Sequence, residues 1–433
     1  MSGGVLQLVS YGSADVNLTG NPQITYWRQV SRRHTNFAIE AIPQVFHATA
    51  DFGRRTSVTI ARTGDLIHKM YLEVTLPVID RSTSEVLTNY PDKRYYWVNK
   101  VGLALIKSVE LEVGGVRIDR HTSEWMDAWL SLTRKYDKDQ GFRQMILDVP
   151  KAERETNKEY TLYIPLVFFF NLFSGLSLPL ISISFHEVRF NFEFRKLSEL
   201  LIPPNKPVTP VISDATHLNN VLLDDTAASM QATLYADMVF CDVEERRRFS
   251  KEPHEMLVTV VQFLGDEVVP SGTDQQLIRQ VTLNFVHPVK ELVWFYVSDD
   301  KADARDYFEY SDVVKDVSLL LNGQPRFTPR KGTYFRYLQP FQHHTAVPQK
   351  PIYTYSFCIH PEDIQPSGSL NFSRIDHAQL RLDIENLPVK TAANPLANPP
   401  TVAVYHGGRF KVFAVSYNLM RIKGGLAGLA YST

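Results

Sequence analysis

The stretch VELEVGG, residues Val109–Gly115, has a counterpart later in the chain, VSLLLNG, residues Val317–Gly323. In both stretches every second residue is apolar, and the run ends in Gly-Gly or Asn-Gly. Apolar residues with a period of two are typical of a strand with one buried face. Gly-Gly and Asn-Gly are typical of two-residue hairpin turns. Each stretch therefore predicts a strand that continues into a β-hairpin.

A second pair of strands occurs in the same order in both halves of the chain. VRFNF, residues Val188–Phe192, matches LRLDI, residues Leu380–Ile384. We interpret the two pairs as traces of a duplicated unit; the alternative is a chance match between generic alternating strands. The halves differ after the hairpin, where Gly332–Phe335 takes the place of a helix in the first half. The sequence predicts two consecutive β-sandwiches of about 200 residues each.

Alternating apolar residues recur along the chain, and helical periodicity is scarce. The further alternating runs are residues 57–60, Met70–Leu76 and Val281–Phe285. One helix is predicted after an N-cap at Thr122 or Ser123, because Trp125, Ala128, Trp129 and Leu132 follow at helical spacing. We expect this helix to cover an edge or end of a sandwich. A second, weaker helix is predicted at Glu244–Phe249.

The most apolar window of the chain is IPLVFFFNLF, residues Ile164–Phe173. It is much shorter than the roughly 20 residues that a membrane-spanning helix needs, so it predicts a buried strand. The best linker candidate is Leu200–Asp225, which contains four prolines and lacks strong periodicity. We therefore divide the chain into an N-terminal arm (1–25), a first sandwich (26–200), a linker (201–225), a second sandwich (226–420) and a C-terminal arm (421–433).

The composition indicates a globular protein with a net charge close to zero. Lys and Arg number 46 against 47 Asp and Glu, so no general attraction to nucleic acid or to anionic lipid is expected. The two cysteines, Cys241 and Cys358, are too few for a disulfide framework and lack metal-ligand spacing. The first residues show no signal or transit peptide, so we expect a protein made in the cytosol.

Motifs for catalysis are missing from the sequence. It contains no phosphate-binding loop, no dinucleotide-binding glycine motif after a strand and no Gly-x-Ser-x-Gly elbow. His343 and His344 form the only close histidine pair, and their side chains would point to opposite faces of a strand, so surface or loop histidines are expected rather than metal ligands. We expect no catalytic residue, no cofactor, no metal and no enzymatic activity.

Charged clusters also favour ordinary surface roles. The carboxylate pairs Asp299-Asp300 and Glu244-Glu245 are interpreted as solvated loop charges rather than as a glycosidase acid and base. The basic groups Arg32-Arg33, Arg54-Arg55 and Arg246–Arg248 lack interleaved aromatic residues, which favours a charged surface over nucleic-acid binding.

Several short features concern turns, tails and modification. Pro366–Gly368 is predicted to be a turn that leads into a strand from Asn371 to Ile384. Gly424–Ala430 is either a flexible tail or an arm that docks on a neighbouring domain or subunit. The two glycosylation acceptors, Asn17 and Asn371, are expected to stay unmodified by the secretory route.

Blocks along nearly the whole chain resemble the major capsid proteins of nucleocytoplasmic large DNA viruses. These blocks are Gly3–Gly12, Asp15–Thr25, Gly64–Ile67, His287–Trp294, Gln365–Arg374, Tyr417–Ile422 and Gly424–Ser432. The resemblance implies an all-β fold of two tandem eight-stranded antiparallel jelly-roll sandwiches with short accessory helices. Periodicity alone does not separate this topology from an immunoglobulin-like one.

The resemblance also implies a function. It implies a homotrimer that forms a pseudo-hexameric capsomer in the icosahedral shell of a large double-stranded DNA virus, assembled in the host cytoplasm. The implied partners are further copies of the chain, minor capsid proteins, a penton protein and, through minor proteins, an inner viral membrane, without direct binding of nucleic acid. We expect terminal arms and long loops to form the contacts. The alternatives are a minor or penton-type capsid protein, a jelly-roll lectin or carbohydrate-active enzyme, and a cellular scaffold protein.

Overall fold

The computed structural model describes residues 2–27, 32–79, 94–202, 228–273, 277–391 and 402–431. The chain divides into two compact units, Met1–Phe37 and Ala38–Thr433. The first unit contains two short helices, α1 (Gly3–Val9) and α2 (Val16–Thr19), neither of which has a buried residue. The predicted N-terminal arm falls within this unit.

The first half of the chain forms one β-sandwich. Its strands are β1 (Phe37–Gln44), β2 (Arg55–Thr59), β3 (Leu66–Leu76), β4 (Tyr96–Trp97), β5 (Ile106–Val113), β6 (Val116–Thr122), β7 (Tyr160–Pro165), β8 (Leu178–Pro179), β9 (Val188–Phe194), β10 (Leu201–Ile202) and β11 (Gln231–Cys241). One sheet has the order β1-β11-β3-β7 and the other β2-β9-β5-β6. Alternate residues of β3 and β9 face the core, as their sequence pattern predicts.

The second half forms another β-sandwich. Its strands are β12 (His254–Val269), β13 (Leu277–Thr282), β14 (Pro288–Ser298), β15 (Val314–Leu321), β16 (Gln324–Pro325), β17 (Arg330–Lys331), β18 (Tyr353–Ser356), β19 (Leu370–Asn371), β20 (Ala378–Ile384), β21 (Val389–Thr391), β22 (Val404–Tyr405), β23 (Gly408–Lys423) and β24 (Leu426–Leu429). The two main sheets have the orders β12-β23-β14-β18 and β13-β20-β15-β16.

The two sandwiches share one strand order. We call the strands in these four sheet orders the principal strands and count them along the chain within each sandwich. In each sandwich, one sheet holds the first, eighth, third and sixth principal strands, and the other holds the second, seventh, fourth and fifth. This is jelly-roll topology, so the predicted double jelly-roll fold is confirmed. The strands that match in sequence also match in position, since β5 and β15 are fourth and β9 and β20 are seventh. The predicted number of eight strands stays a prediction, because short strands such as β8 and β24 also pair with the sheets.

The helices lie in the connections between strands. Within the larger unit they are α3 (Val101–Leu105), α4 (Ser123–Thr133), α5 (Asp139–Met145), α6 (Phe169–Leu172), α7 (Leu197–Leu200), α8 (Val243–Lys251), α9 (Asp299–Asp303) and α10 (Gln339–His343), with 3₁₀ turns at Tyr136–Lys138, Lys151–Glu153, Ser174–Leu176, Leu180–Ser182 and Phe372–Arg374. The predicted helix after Thr122 is confirmed as α4, because the Thr122 side chain accepts a hydrogen bond from the Trp125 N–H. Helix α8 confirms the weaker prediction at Glu244–Phe249.

A helix that the sequence did not predict follows the hairpin of the second sandwich. A π-helical turn, Tyr334–Leu338, continues directly into α10. The predicted difference between the two halves at Gly332–Phe335 is therefore wrong, because both sandwiches have a helix after their fifth principal strand. Pro340 and the aromatic residues of this segment are weak helix formers, which hides the helix from periodicity.

Two predicted strands are shorter than expected. In Ile164–Phe173 the strand ends at Pro165, and the Asn171 side chain accepts a hydrogen bond from the Phe168 N–H at the start of α6. The chain therefore turns while Phe168, Phe169 and Phe170 stay buried. In Asn371–Ile384 a 3₁₀ turn follows Asn371, whose side chain accepts from the Ser373 N–H, and the strand is limited to Ala378–Ile384. Pro366–Gly368 is an irregular connection rather than a defined turn.

The predicted hairpin turns are confirmed. Gly114 and Gly115 have φ angles of 59° and 81°, and Asn322 and Gly323 have φ angles of 48° and 79°. Positive φ at both central residues is the geometry of a two-residue hairpin, and it favours glycine and asparagine.

Replacing Gly115 with alanine should lower the free energy of unfolding by about 1–2 kcal/mol. The effect is one of backbone strain, because an added Cβ at Gly115 has no atom within 4 Å. Gly175→Ala is the matched control, since its added Cβ is equally free and its φ is not in the left-handed region; we expect a change within about 0.5 kcal/mol. Urea unfolding of both variants checks this, and equal effects would contradict it.

The domain limits deduced from the sequence differ from the strand pairing. The predicted linker, 201–225, lies outside the described residues except for Leu201 and Ile202 of β10. Strand β11, which the sequence division assigns to the second sandwich, pairs with β3 of the first. The predicted C-terminal arm is not a free tail, because β23 extends to Lys423 and turns at Gly424-Gly425 into β24, which pairs back with it.

Candidate assembly surfaces and the interface between the sandwiches

Strand β14, inside one sheet of the second sandwich, is buried on both faces. Leu292, Trp294 and Tyr296 of β14 lie in the core of the second sandwich. The alternating neighbours Val293 and Phe295 belong instead to the core of the first. The usual polar outer face of an antiparallel sheet is therefore replaced here by a second apolar contact.

Helix α4 lies at this contact rather than at a free edge or end of its sandwich. The Trp125 ring lies 5.2 Å from the Phe413 ring of β23, centroid to centroid. Phe413 in turn lies 5.8 Å from Phe295 and 4.6 Å from Phe263 of β12. The helix thus packs an aromatic cluster between the two sandwiches, and each sandwich helps to bury the other.

A buried ionic cluster flanks the aromatic one. The Glu124 carboxylate of α4 lies 3.3 Å from the Arg195 guanidinium and 3.4 Å from the Lys411 ammonium of β23. Burial alone raises the pKa of Glu124, but the charges of Lys411 and Arg195 outweigh it and hold the pKa below its ordinary value. Glu124 is therefore a carboxylate that joins cations from both sandwiches.

Replacing Glu124 with glutamine should lower the free energy of unfolding at pH 7 by about 2–3 kcal/mol, because Arg195 loses its charged partner and Lys411 keeps only Asp266. A lowered folded-state pKa stabilises the fold above the ordinary value of 4.5, and this contribution is lost as pH falls through the folded-state pKa. The difference between wild type and Glu124→Gln should accordingly shrink as pH is lowered from neutrality. Urea unfolding at several pH values measures it.

The control for this variant is Glu255→Gln, which removes an exposed carboxylate 2.8 Å from Arg421. Exposed ion pairs contribute about 0–1 kcal/mol, so a small effect is expected. A Glu124→Gln effect no larger than that of the control would show that the buried cluster adds no stability.

Further polar contacts join the two sandwiches. Asp119, in the middle of β6, accepts a hydrogen bond from the Val261 N–H of β12 at 3.1 Å. The Tyr310 hydroxyl donates to Asp127 of α4 at 3.1 Å. The interface therefore combines apolar area with directional contacts, and such directional contacts fix the relative position of the two sandwiches.

The C-terminal hairpin adds a contact at another point. The Phe185 N–H of the first sandwich donates to the Gly425 carbonyl at 2.9 Å. The Ala427 N–H donates to His186 Nδ1 at 3.2 Å. Of the two readings of Gly424–Ala430 from the sequence, an arm docked on a neighbouring domain agrees with these contacts.

His344 lies in the loop that follows α10, within the predicted surface or loop position, but its side chain is buried. Its Nε2 lies 3.0 Å from Glu291 and its Nδ1 lies 3.0 Å from Glu362. The Glu291 contact is an ion pair without good hydrogen-bond alignment. Burial lowers the pKa of His344, but the charge of Glu291 and the contacts to Glu362 outweigh it and raise the pKa to about 9.

This cluster is a salt link and not a metal site. Both ring nitrogens of His344 already face carboxylates, and His343 bonds separately to the Ile359 carbonyl at 2.8 Å. Among the described residues no group of three or more His, Cys, Asp or Glu is arranged to hold a metal. The sequence signal for the cluster was Glu291 itself, a charge within the apolar run of β14.

The other charged candidates do not come together. Asp299 and Asp300 begin α9, and Glu244 and Glu245 are in the first turn of α8. Arg246 lies 3.0 Å from Asp65 and Arg55 lies 3.2 Å from Glu193, whereas Arg32, Arg33 and Arg54 are exposed. Asn17 lies exposed in α2 and Asn371 caps a 3₁₀ turn. Local pairing and solvent therefore account for these groups.

A polar groove of about 530 Å³ lies on the outer face of the sheet β2-β9-β5-β6. Its carboxylates include Glu110 and Glu193, which raises the carbohydrate-enzyme alternative. Burial raises the pKa of Glu193, but Lys107 and Arg55 outweigh it and lower the pKa. A glycosidase general acid needs a raised pKa, so Glu193 does not suit that role.

Large exposed apolar residues mark surfaces available for assembly. In the unit Met1–Phe37 they include Leu8, Leu18, Ile24, Tyr26 and Trp27. In the second sandwich they include Tyr337, Leu338 and Phe341 of the helical segment, and Ile359 and Ile364 of a nearby loop. Clusters of this kind are typical of protein contact sites. None of the helices in the described ranges is long and apolar enough to cross a membrane.

Comparison with known proteins matches each half of the chain to a protein-family model. Residues 25–242 match the family model for the major capsid protein N-terminus, and residues 245–428 match that for the large eukaryotic DNA virus major capsid protein. The chain is 37% identical to the major capsid protein of Pyramimonas orientalis virus and 34% identical to that of Paramecium bursaria Chlorella virus 1, each over 100% of both chains.

Solved structures agree. The crystal structure of PBCV-1 VP54 superimposes with a TM-score of 0.74 at 29% identity, over 94% of this chain and 100% of that one. The Faustovirus major capsid protein has a TM-score of 0.70 at 12% identity, over 95% of this chain and 94% of that one. At so low an identity, this similarity shows only that the two proteins share a fold.

Proposed function

The chain belongs to the family of large eukaryotic DNA virus major capsid proteins, structural components of the virion shell, and we propose that three copies form a pseudo-hexameric capsomer. The observation that carries the proposal is the fusion of two sandwiches with the same strand order into one body through a buried interface. Three such copies around an axis present six similar units, which suits a hexagonal tile. A related chain, 30% identical, is part of a quasi-atomic model of the PBCV-1 virus capsid, which supports a role in a shell.

Further parts of the proposal concern chemistry and partners. The chain acts by association and not as an enzyme, and the pairing of Glu193 with Arg55 and of His344 with Glu291 and Glu362 supports this. Its partners are further capsomers, minor capsid proteins and a penton protein, with an inner membrane contacted through minor proteins. Assembly takes place in the host cytoplasm, and the near-equal numbers of acidic and basic residues argue against holding the genome directly.

The domain limits that fit this proposal differ from those deduced from the sequence. We propose that the first sandwich includes β11 and that the division falls in the α8 segment, between Cys241 and His254. The pairing of β11 with β3 along most of its length supports this, and so does the change of family model between residues 242 and 245.

Light scattering on the purified full chain, with electron microscopy of the same sample, tests the trimer. We expect a particle of three times the chain mass with six similar densities around its axis. A protein that stays monomeric at all concentrations and salt conditions tested would overturn the capsomer proposal.

A further inference from the structure

The chain contains one complete contact between two jelly rolls. In it, α4 and Asp119 of β6 pack on the outer face of the sheet β12-β23-β14-β18. Trp125 lies against Phe413, Glu124 against Lys411, and Asp119 against the Val261 N–H. The contact thus joins the helix after the fifth principal strand of one sandwich to the outer face of the first-eighth-third-sixth sheet of another.

The corresponding sheet face of the first sandwich carries a row of aromatic residues. Tyr71 of β3 stacks on Tyr235 of β11 at 5.2 Å and meets Tyr163 of β7 edge-on at 6.1 Å. Their neighbours Leu72, Leu234 and Ile164 face the core, so the tyrosines face outward. Tyr163 is 39% exposed, and Ile39 of β1 is also exposed. We name Ile39, Tyr71, Tyr163 and Tyr235 the tyrosine strip.

The corresponding helix of the second sandwich is exposed as well. The segment Tyr334–His343 follows β16 and β17 just as α4 follows β6. Where α4 buries Trp125, this segment exposes Tyr337, Leu338 and Phe341, and the Phe341 side chain is 75% exposed. We name Tyr334–His343 the aromatic helix. Within its described residues, one chain therefore has an unoccupied sheet face, the tyrosine strip, on its first sandwich and an unoccupied helix, the aromatic helix, on its second. These two surfaces are separate from the complete contact between its sandwiches.

The charges near the two surfaces are complementary. The carboxylates of Asp237 and Glu73 lie close enough to Tyr71 to raise its pKa further, after the effect of burial. Two cations lie at the aromatic helix. The Arg330 guanidinium of β17 lies 4.4 Å from the Tyr334 ring, and the Arg336 guanidinium, which also pairs with Asp312, lies 4.8 Å from the Tyr337 ring. Opposite charges across a contact favour this pairing over like-with-like association.

We propose that the aromatic helix of one copy binds the tyrosine strip of a second copy, repeating between chains the contact that α4 makes within one chain. The inference rests on the proposed capsomer and names the surfaces that hold it together. The two surfaces differ, so the contact is head-to-tail, and a head-to-tail contact closes into a ring when the rotation allows it. In the proposed capsomer this ring closes at three copies.

Two variants of the full chain, each damaging one surface, test the proposal. Phe341→Glu places a charge on the aromatic helix, and Tyr163→Glu places one on the tyrosine strip. Tyr136→Glu is the matched control, because Tyr136 is an aromatic residue that is 93% exposed and lies outside both surfaces. Light scattering gives the oligomeric state, and circular dichroism with thermal unfolding verifies that each variant is folded.

We expect the control to remain trimeric and each surface variant to be a folded monomer, with at least a tenfold weaker association. A mixture of the two surface variants retains one intact contact, namely the aromatic helix of the Tyr163→Glu chain on the tyrosine strip of the Phe341→Glu chain. The mixture should therefore form heterodimers that do not close into trimers.

The outcomes separate the two proposals. If wild type is trimeric and both surface variants stay trimeric, the contact is wrong while the capsomer stands. If each variant dissociates but the mixture does not pair, the contact is not head-to-tail and the inference fails. If wild type is itself monomeric under all conditions, the capsomer proposal fails and the inference fails with it.

Discussion

Replacing Trp125 with alanine is expected to lower the free energy of unfolding by about 3–5 kcal/mol and to prevent particle assembly. The side chain is 2% exposed and stacks on Trp129 at 5.6 Å as well as on Phe413. Its removal leaves a cavity between the two sandwiches, where neither sheet can move inward without breaking its own pairing. Urea unfolding followed by tryptophan fluorescence measures the loss.

The matched control is Trp27→Ala, because Trp27 is 89% exposed and lies in the separate unit Met1–Phe37. We expect its effect on unfolding to stay within about 0.5 kcal/mol. Comparable losses in the two variants would mean that the interface between the sandwiches does not stabilise the fold. If one sandwich unfolds earlier and in a separate transition in Trp125→Ala, the interface couples the unfolding of the two sandwiches in wild type.

The second large effect concerns alkaline pH and His344. The pKa of His344 is raised from 6.5 to about 9 in the folded protein, so protonation of the ring stabilises the fold by about 3 kcal/mol. Because the folded-state pKa is the higher one, this contribution is fully present below pH 6.5. It decreases as pH rises and is lost above about pH 9. Wild type should therefore lose stability over this range.

The groups that face His344 set this range. These groups are Glu291 of β14 and Glu362 of the loop after β18, and both of these carboxylates also interact with Lys290 of β14. Glu291 and Glu362 favour the protonated ring. Lys290, whose Nζ donates to the Pro361 carbonyl at 2.5 Å, holds the same loop from the other side.

His344→Gln should be destabilised by about 3–5 kcal/mol at neutral pH, because it leaves Glu291 buried without a cation, and its stability should vary little between pH 7 and pH 9.5. His343→Gln is the control, because His343 bonds only to a backbone carbonyl; it should keep the wild-type pH profile. Thermal unfolding of the three proteins across this range decides the matter. If His344→Gln loses as much stability at alkaline pH as wild type does, a group other than His344 causes the loss.

Local pattern explains what the sequence predicted correctly. The VELEVGG and VSLLLNG stretches placed two equivalent hairpins, because alternation and turn chemistry act over a few neighbouring residues. Helix α4 was equally clear, since its apolar residues all face one side and Thr122 caps it. The resemblance to viral capsid proteins supplied the jelly-roll order, which no local pattern contains.

Contacts between distant residues explain most of what was missed. The burial of His344 depends on Glu291 and Glu362, which reach it only through the folded sheet. The position of α4 between sandwiches depends on Phe413, far along the chain. The burial of β14 on both faces could have been predicted from the sequence. Leu292–Val297 is continuously apolar, and such runs are typical of strands covered on both faces.

The position of β23 has a consequence for synthesis of the protein. It is the last long strand to leave the ribosome, yet it lies between β12 and β14 and pairs with both. A nascent chain that stops before Gly408 cannot join these two strands, and their apolar faces and unpaired edges stay open to solvent. Premature termination thus yields a polypeptide without a finished second sandwich, and only a full-length translation product offers a growing shell both halves of a subunit.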